Sequence, residues 1–283
     1  MNKKRILITG SSGFIGNHLI KEICKNSQYQ VIPFENKGKK INLLSKREIL
    51  KIKRVDIVIH LAAEIPKKKE SSTFFQNNVL GTLNILDYCV TKKIKKLIFI
   101  SSYVYGLPKY NPIDEKHPIM AHNSYSKSKI LAEELCKIYS KIFGLKIIIL
   151  RPFNIFGKNQ INNSLISNIE QYYKNKKSIK IMNVESKRDF LFITDFIKVI
   201  LIMIDFETEF DIFNVGSGKS YSFEKILKSF EKITGIKIKT EIKKHDSNTI
   251  PKIEADISKI YRKTGWKPEV SLIDGIKNIS ERN

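Results

Sequence analysis

The chain has 283 residues, 42% apolar and 28% charged, ordinary values for a globular protein long enough to bury a sizeable core. Its formal net charge of +23 comes almost entirely from lysine spread along the chain. That pattern is a compositional bias, not a nucleic-acid footprint, and no nucleic-acid partner is expected.

Residues 5–9 form a short apolar run that ends in a glycine-rich turn, the pattern of a buried parallel strand. Apolar residues at helical spacing follow over 14–25. A second strand is predicted over 29–34, weakened as a central one by Pro33, and a brief third over 41–44. Ser45 is placed to cap the next helix, with Glu48 as its capping-box partner. A strand over 56–61, a helix over 73–91, a strand over 96–101, a helix over 123–143 and a strand over 146–150 continue the alternation. Such alternation predicts an α/β fold with a doubly wound parallel sheet. After Pro152 the rhythm changes. An Asn-rich loop merges into a helix ending near Lys177, strands are predicted over 190–195 and 210–215, and helices over 223–234 and from Leu272 onward. This late part reads as a smaller lobe woven into the first.

Cys24, Cys89 and Cys136 lack the spacing of a zinc site or a CxxC pair. No metal site is expected, and the absence of a secretory signal predicts reduced, buried thiols in a cytoplasmic protein. The longest oily stretch, residues 190–206, is broken by Asp195 and Lys198, so no membrane span is expected.

Two stretches carry chemistry. Gly10-Ser11-Ser12-Gly13-Phe14-Ile15-Gly16 lies between a strand and a helix. Its glycines suit a tight turn, close approach of a diphosphate and tight helix–sheet packing, and the helix start offers free N–H groups. Tyr125 and Lys129 stand four apart, on one face of the helix over 123–143. The lysine charge is expected to lower the tyrosine pKa, fitting the phenol to pass a proton to or from an alcohol or ketone.

Taken in order, ITGSSGFIG, HLAAE, NVLGT, FISSYVYG, YSKSK, LRPFNIFG, RDFLFITD, FNVGSGKSYS and ADISK with GWKP cover nearly the whole chain. Together they resemble the extended short-chain dehydrogenase/reductases, the nucleotide-sugar epimerase, dehydratase and reductase family. The resemblance implies a Rossmann NAD-binding domain over residues 1–151 plus about 187–218, and a substrate lobe over about 152–186 and 219–283. It implies a catalytic Ser101, counted back from Val104-Tyr105-Gly106, with Ser102 the second choice, together with Tyr125 and Lys129. Cofactor contacts fall on Gly10, Gly13, Phe14, Ile15, Gly16, Glu35, Leu61, Ala62, Ala63, Asn78, Tyr125, Lys129 and Pro152. A carboxylate at Glu35 accepts both ribose hydroxyls and repels a 2′-phosphate, placing NAD ahead of NADP. Substrate contacts fall on Ser101, Ser102, Asn154, Leu165 and Arg188, with Arg188 gripping the diphosphate of a nucleotide-diphosphate sugar. A salt bridge from Arg188 to Asp189 or Asp195 is the structural alternative. A homodimer through the helices over 73–91 and 123–143 is also implied.

Three departures narrow the activity. Ser102-Tyr103 stands where family 4,6-dehydratases carry an Asp-Glu pair, so elimination of water is not expected. The link from Glu35 to the third strand is too short for a helix, which resembles the 4-keto-sugar reductases more than the UDP-galactose 4-epimerases. Near Asp246, where relatives carry a second diphosphate-binding arginine, the chain has Lys243, Lys244 and His245. A 4-ketoreductase is therefore expected first, with a 4-epimerase as the alternative and a non-catalytic nucleotide-binding protein as a remote third.

Overall fold

Ile57–His60 and Lys96–Ile100 are buried at every position, as strands covered on both faces must be. Both lie inside a six-stranded sheet in the computed structural model, which describes residues 3–36, 39–65, 71–121, 123–160, 164–175, 179–181, 183–242 and 250–281. The sheet order is Phe210–Val215, Lys146–Pro152, Lys96–Ile100, Ile57–His60, Lys4–Thr9, Tyr29–Ile32, and the last five strands run parallel. The order reverses between Lys4–Thr9 and Ile57–His60, where Thr9 lies in register with His60. In open α/β sheets ligands bind beyond the carboxyl ends of the strands at such a reversal.

The chain forms two compact units: residues 1–106, 119–152 and 197–213, and residues 107–118, 153–196 and 214–283. Residues 107–118, 187–196 and 214–218 fall in the second unit, where the resemblance implied the dinucleotide domain for them. Local bonds within the second unit account for the first of these: Ile113 bridges Ala255, and Asn214 donates from Nδ2 to Ile113 O and from its backbone N–H to Glu115.

In the first unit, Leu7, Val58, Leu97, Phe99, Ile147 and Ile149 pack with Ile85, Cys89, Ala132 and Cys136 of two helices, Gly81–Thr91 and Ser124–Phe143. Cys89 and Cys136 are buried free thiols, but Cys24 is exposed, contrary to expectation. Tyr29–Ile32 stops at Pro33, which has no N–H to give a ladder. The expected strand over 41–44 is instead a turn, preceded by a hairpin in which Glu35–Asn36 pairs Lys39–Lys40. Ser45 caps Lys46–Ile49, accepting from Glu48 N at 3.4 Å, but the Glu48 carboxylate accepts from Asn42 N and not from Ser45. The helix expected over 73–91 has three parts: Ser71–Phe74, a π-helical turn Phe75–Leu80, and Gly81–Thr91. Buried Lys96 donates to the carbonyls of Ile204 (3.0 Å) and Phe206 (2.6 Å), satisfying orphan acceptors at the end of the helix Ile193–Asp205.

In the second unit, Lys187–Phe192 pairs antiparallel with Ser220–Ser222 and parallel with Asn154–Phe156 and Lys252–Ile253. The expected strand over 190–195 therefore ends at Phe192, and Ile193 begins the next helix. Asp189, fully buried, accepts from Ser217 N, Ser217 Oγ, Gly218 N and Ala255 N. One carboxylate thereby fixes the turn after Phe210–Val215. Among the described residues, no helix is long and apolar enough to cross a membrane, and no group of three or more His, Cys, Asp and Glu could hold a metal ion.

Candidate active site

The glycine-rich turn sits at the sheet's reversal point. Gly10 adopts the left-handed region (φ +69°), and a Cβ there would stand 2.7 Å from Ala62 N. A Cβ on Gly16 would meet Gly10 O at 2.4 Å, so the helix Phe14–Ile23 approaches the turn as closely as backbone allows. Gly13 differs. A Cβ there would meet a single atom, Gly10 O at 3.2 Å, and is otherwise open. Gly13 is also the N-cap residue, and no side chain caps the helix behind it. An open, glycine-backed helix N-terminus, with Phe14 and Ile15 in its first turn, fits a dinucleotide's diphosphate in shape and polarity.

The loop after Ile57–His60 is braced from two sides. Leu61 N and Ala62 N donate to Thr9 O and Thr9 Oγ1, and Ala63 follows them, also half-buried. Asn78 accepts from Glu64 N at 2.7 Å and donates to Glu64 O and Ser128 Oγ. Ser128 Oγ in turn donates to Tyr125 O. One amide therefore ties this loop to the turn of helix that carries Tyr125 and Lys129.

Asn123 starts that helix with a capping box to Ser126, and Gly144 ends it in the left-handed region. The Tyr125 ring meets the Phe74 ring edge to face at 6.0 Å, and Ser102 is the side chain that acts on its phenol. Burial holds the phenol above its ordinary pKa, and Ser102 opposes this. The lowering expected from Lys129 is not found: the phenol stands above its ordinary value, and Lys129 Nζ is engaged elsewhere. It donates to Ile100 O at 2.7 Å and lies 4.3 Å over the Phe99 ring. Burial brings the Lys129 pKa down to about 8, with the Glu133 charge opposing.

Ser101, the first choice for the catalytic hydroxyl, does not partner Tyr125. Its Oγ donates to Glu133 Oε1 at 2.5 Å, and the residue is buried. The reason is strand alternation. Ser101 continues the face of Leu97 and Phe99 toward the Ser124–Phe143 helix, where Glu133 takes its hydroxyl.

Pro152 closes Lys146–Pro152. The backbone of Glu35 pairs with Lys40. In the second unit, Asn154 Nδ2 donates to Asp189 O at 2.8 Å, and Leu165 opens the helix Leu165–Asn175. Arg188 stacks its guanidinium 5.6 Å over Phe223 and donates to Lys187 O. The four bonds of Asp189 come from Ser217, Gly218 and Ala255, and Asp195 Oδ2 accepts from Glu269 N and Val270 N. Lys243, Lys244, His245 and Asp246 lie outside the described residues.

The family model described as the NAD dependent epimerase/dehydratase family matches residues 6–216. The chain belongs to the NAD-dependent epimerase/dehydratase family. It is 34% identical over 97% of its length to a Methanocaldococcus jannaschii protein provisionally named UDP-glucose 4-epimerase, covering 96% of that protein. It is 28% identical to the Escherichia coli dTDP-4-dehydro-6-deoxyglucose reductase, covering 98% of this chain and 96% of the relative. A UDP-glucuronic acid 4-epimerase of Bacillus cereus, solved with NAD, superposes with a TM-score of 0.85 at 28% identity over 96% of each chain.

Two polar clusters of this epimerase/dehydratase chain are absent from the sequence-level site. In one, Thr82 Oγ1 donates to Asn78 O at 2.6 Å and so accepts from His60 Nε2 at 3.1 Å. Nδ1 is then the bare nitrogen, accepting from Thr9 Oγ1 at 2.6 Å. Burial first, and the Lys129 charge second, push the His60 pKa down to about 3, consistent with this neutral tautomer. The other cluster is Glu133 with Arg151. Its signal was present in the sequence: Glu133 falls four residues after Lys129 on the helix, and Arg151 follows an apolar run, 147–150, within its strand.

Proposed function

We propose that this protein moves a proton and a hydride at C4 of a nucleotide-diphosphate sugar, with NAD as its cofactor. The observation that carries this reading is Tyr125 one helical turn from Lys129, on a turn of helix tied through Ser128 and Asn78 to the loop that follows Ile57–His60. NAD, when bound, supplies the hydride acceptor or donor. Tyr125 gives a proton to the C4 oxygen as a ketone becomes an alcohol, or takes it in the reverse direction. Ser102 hydrogen-bonds the same oxygen, in place of Ser101. Lys129 would hold the nicotinamide ribose. Gly10, Gly13, Phe14, Ile15 and Gly16 would receive the diphosphate, Leu61, Ala62, Ala63, Asn78 and Pro152 would border the cofactor, and Glu35 would accept the adenosine ribose hydroxyls.

The 4-ketoreductase reading comes first. A phenol held protonated by burial suits the donor of the reductive step, and a hairpin, Glu35–Asn36 with Lys39–Lys40, follows the second strand directly. The 4-epimerase reading is favoured by the name of the 34% identical relative. Chromatography of the nucleotide released on denaturing the purified protein separates the two. Retained NAD supports the epimerase, whereas an empty site with NADH-dependent turnover of a nucleotide-linked 4-keto sugar supports the reductase. Ser102-Tyr103 lacks the acid and base of an elimination, so a dehydratase is not proposed.

Asn154, Leu165 and Arg188 would contact the substrate, with Arg188 on its diphosphate. Arg188→Met is expected to raise KM roughly 10- to 100-fold with little change in kcat, the pattern of lost uniform binding. An unchanged KM in initial-rate measurements removes Arg188 from the substrate site. A homodimer is also proposed. Leu131, Ile138 and Ile142 are exposed at helical spacing on Ser124–Phe143, and Leu80 is exposed on the π-helical turn that packs beside it. Sedimentation equilibrium is expected to give twice 32.8 kDa, and a monomer mass at micromolar concentration rules the dimer out.

A further inference from the structure

We infer that Glu133 is a positioning residue of the active site, the buried anion that pairs with Arg151 and whose charge also favours an ammonium on Lys129, one helical turn from Tyr125. The inference rests on the reading of Tyr125 and Lys129 as the proton-transfer pair and adds the group that sustains it.

Lys129, Glu133 and Arg151 are each at most 4% exposed. Two cations and one anion thus share a buried locus, where an unpaired charge is costly. Glu133 lies four residues after Lys129, on the same face of the Ser124–Phe143 helix. Its carboxylate is held from outside the helix. Arg151 Nε donates to Oε1 at 3.0 Å and Oε2 at 3.2 Å, Arg151 Nη2 donates to Oε2 at 2.5 Å, and Ser101 donates to Oε1. Arg151 is itself fixed, with Nη1 donating to Tyr105 OH at 2.8 Å and the guanidinium 5.0 Å over that ring. Four hydrogen bonds from three donors leave Glu133 no freedom to swing, so its charge acts from a set place.

The groups around Lys129 leave Glu133 as the anion that acts on it. From its own helix come Tyr125, Glu133 and Cys136, whose thiol burial holds far above its ordinary pKa and therefore neutral. His60, from the strand Ile57–His60, is held as the neutral imidazole. Lys96–Ile100 contributes the Phe99 ring and Ile100 O. Of the influences that keep the ammonium against burial, Glu133 is the largest. Removing its charge leaves two buried cations with none of this compensation, and Lys129 then loses its proton at a lower pH.

The test is a titration that needs no turnover. The full-length protein is labelled with [13Cε]lysine, the Lys129 signal is identified by its loss in Lys129→Met, and its midpoint is followed by NMR. Glu133→Gln is expected to lower that midpoint by more than about one pH unit, a tenfold change in proton affinity. Glu133→Asp, which keeps an anion one methylene further back, is expected to lower it less, and stands in should Glu133→Gln fail to fold. A midpoint unmoved in the folded variant overturns the inference, since a purely structural carboxylate has no reason to change it. Where turnover is measurable, the alkaline limb of kcat is expected to move in the same direction. Full activity in Tyr125→Phe would instead overturn the catalytic reading underneath, leaving the titration result standing.

Discussion

Tyr125→Phe loses turnover by roughly 10²- to 10⁴-fold, the span of a general acid–base group, while NAD still binds. The substitution removes one oxygen from a half-buried ring and leaves the edge contact with Phe74 in place. The main-chain oxygen of Tyr125 still accepts from Ser128, so the brace from Asn78 is kept. Nothing in the glycine-rich turn depends on the phenol. Binding and turnover therefore separate in this variant, with equilibrium dialysis against NAD reporting the first and initial rates the second. A variant that keeps its rate shows that the proton moves by another group.

Ser102→Ala and Ser101→Ala divide in the same way. Ser102 is the side chain that acts on the phenol, and its loss removes the donor proposed for the reacting oxygen. A drop of roughly 10²- to 10³-fold in kcat is expected, the size seen when one donor to a developing charge is removed. The phenol, relieved of an influence that lowers its pKa, also titrates higher, so the residual activity shifts to more alkaline pH in the oxidative direction. Ser101→Ala removes one of the donors to Glu133 and leaves Arg151 bidentate on that carboxylate. Most of the turnover is expected to survive in it. The reverse ranking of the two alanine variants, measured side by side, would restore Ser101 to the catalytic position.

How far this site could be read from residues alone is clearest at those two serines. Counting back from Val104-Tyr105-Gly106 assumes a loop of fixed length. The side chain's direction is decided instead by the strand before it, Lys96–Ile100, whose two-residue period sends Ser101 inward with Leu97 and Phe99. Gly10, Gly13 and Gly16 were legible because their roles are local. Each needs room for backbone, and a strand before and a helix after supply the context. Tyr125 and Lys129 were legible as a helical pair, but the electrostatics between them were not. Lys129 spends its charge on Ile100 O and the Phe99 face, contacts that depend on a strand some thirty residues earlier. The division into units misplaced residues 107–118 because bonds to Asn214 and Ala255 decide their allegiance. Such pairings across about a hundred residues leave no periodic mark in the sequence.

The most direct measurement follows C4 of the sugar. Purified protein is incubated with NAD or NADH and a panel of UDP-, dTDP-, GDP- and CDP-linked hexoses and 4-keto-6-deoxyhexoses, and the products are read by proton NMR. The expected result is a change confined to C4, by reduction of the ketone or inversion of the hydroxyl, present with the native chain and absent with Tyr125→Phe. A reaction at another carbon, or none with any member of the panel while NAD is bound, would contradict the reading of Tyr125 as the proton carrier for C4 chemistry.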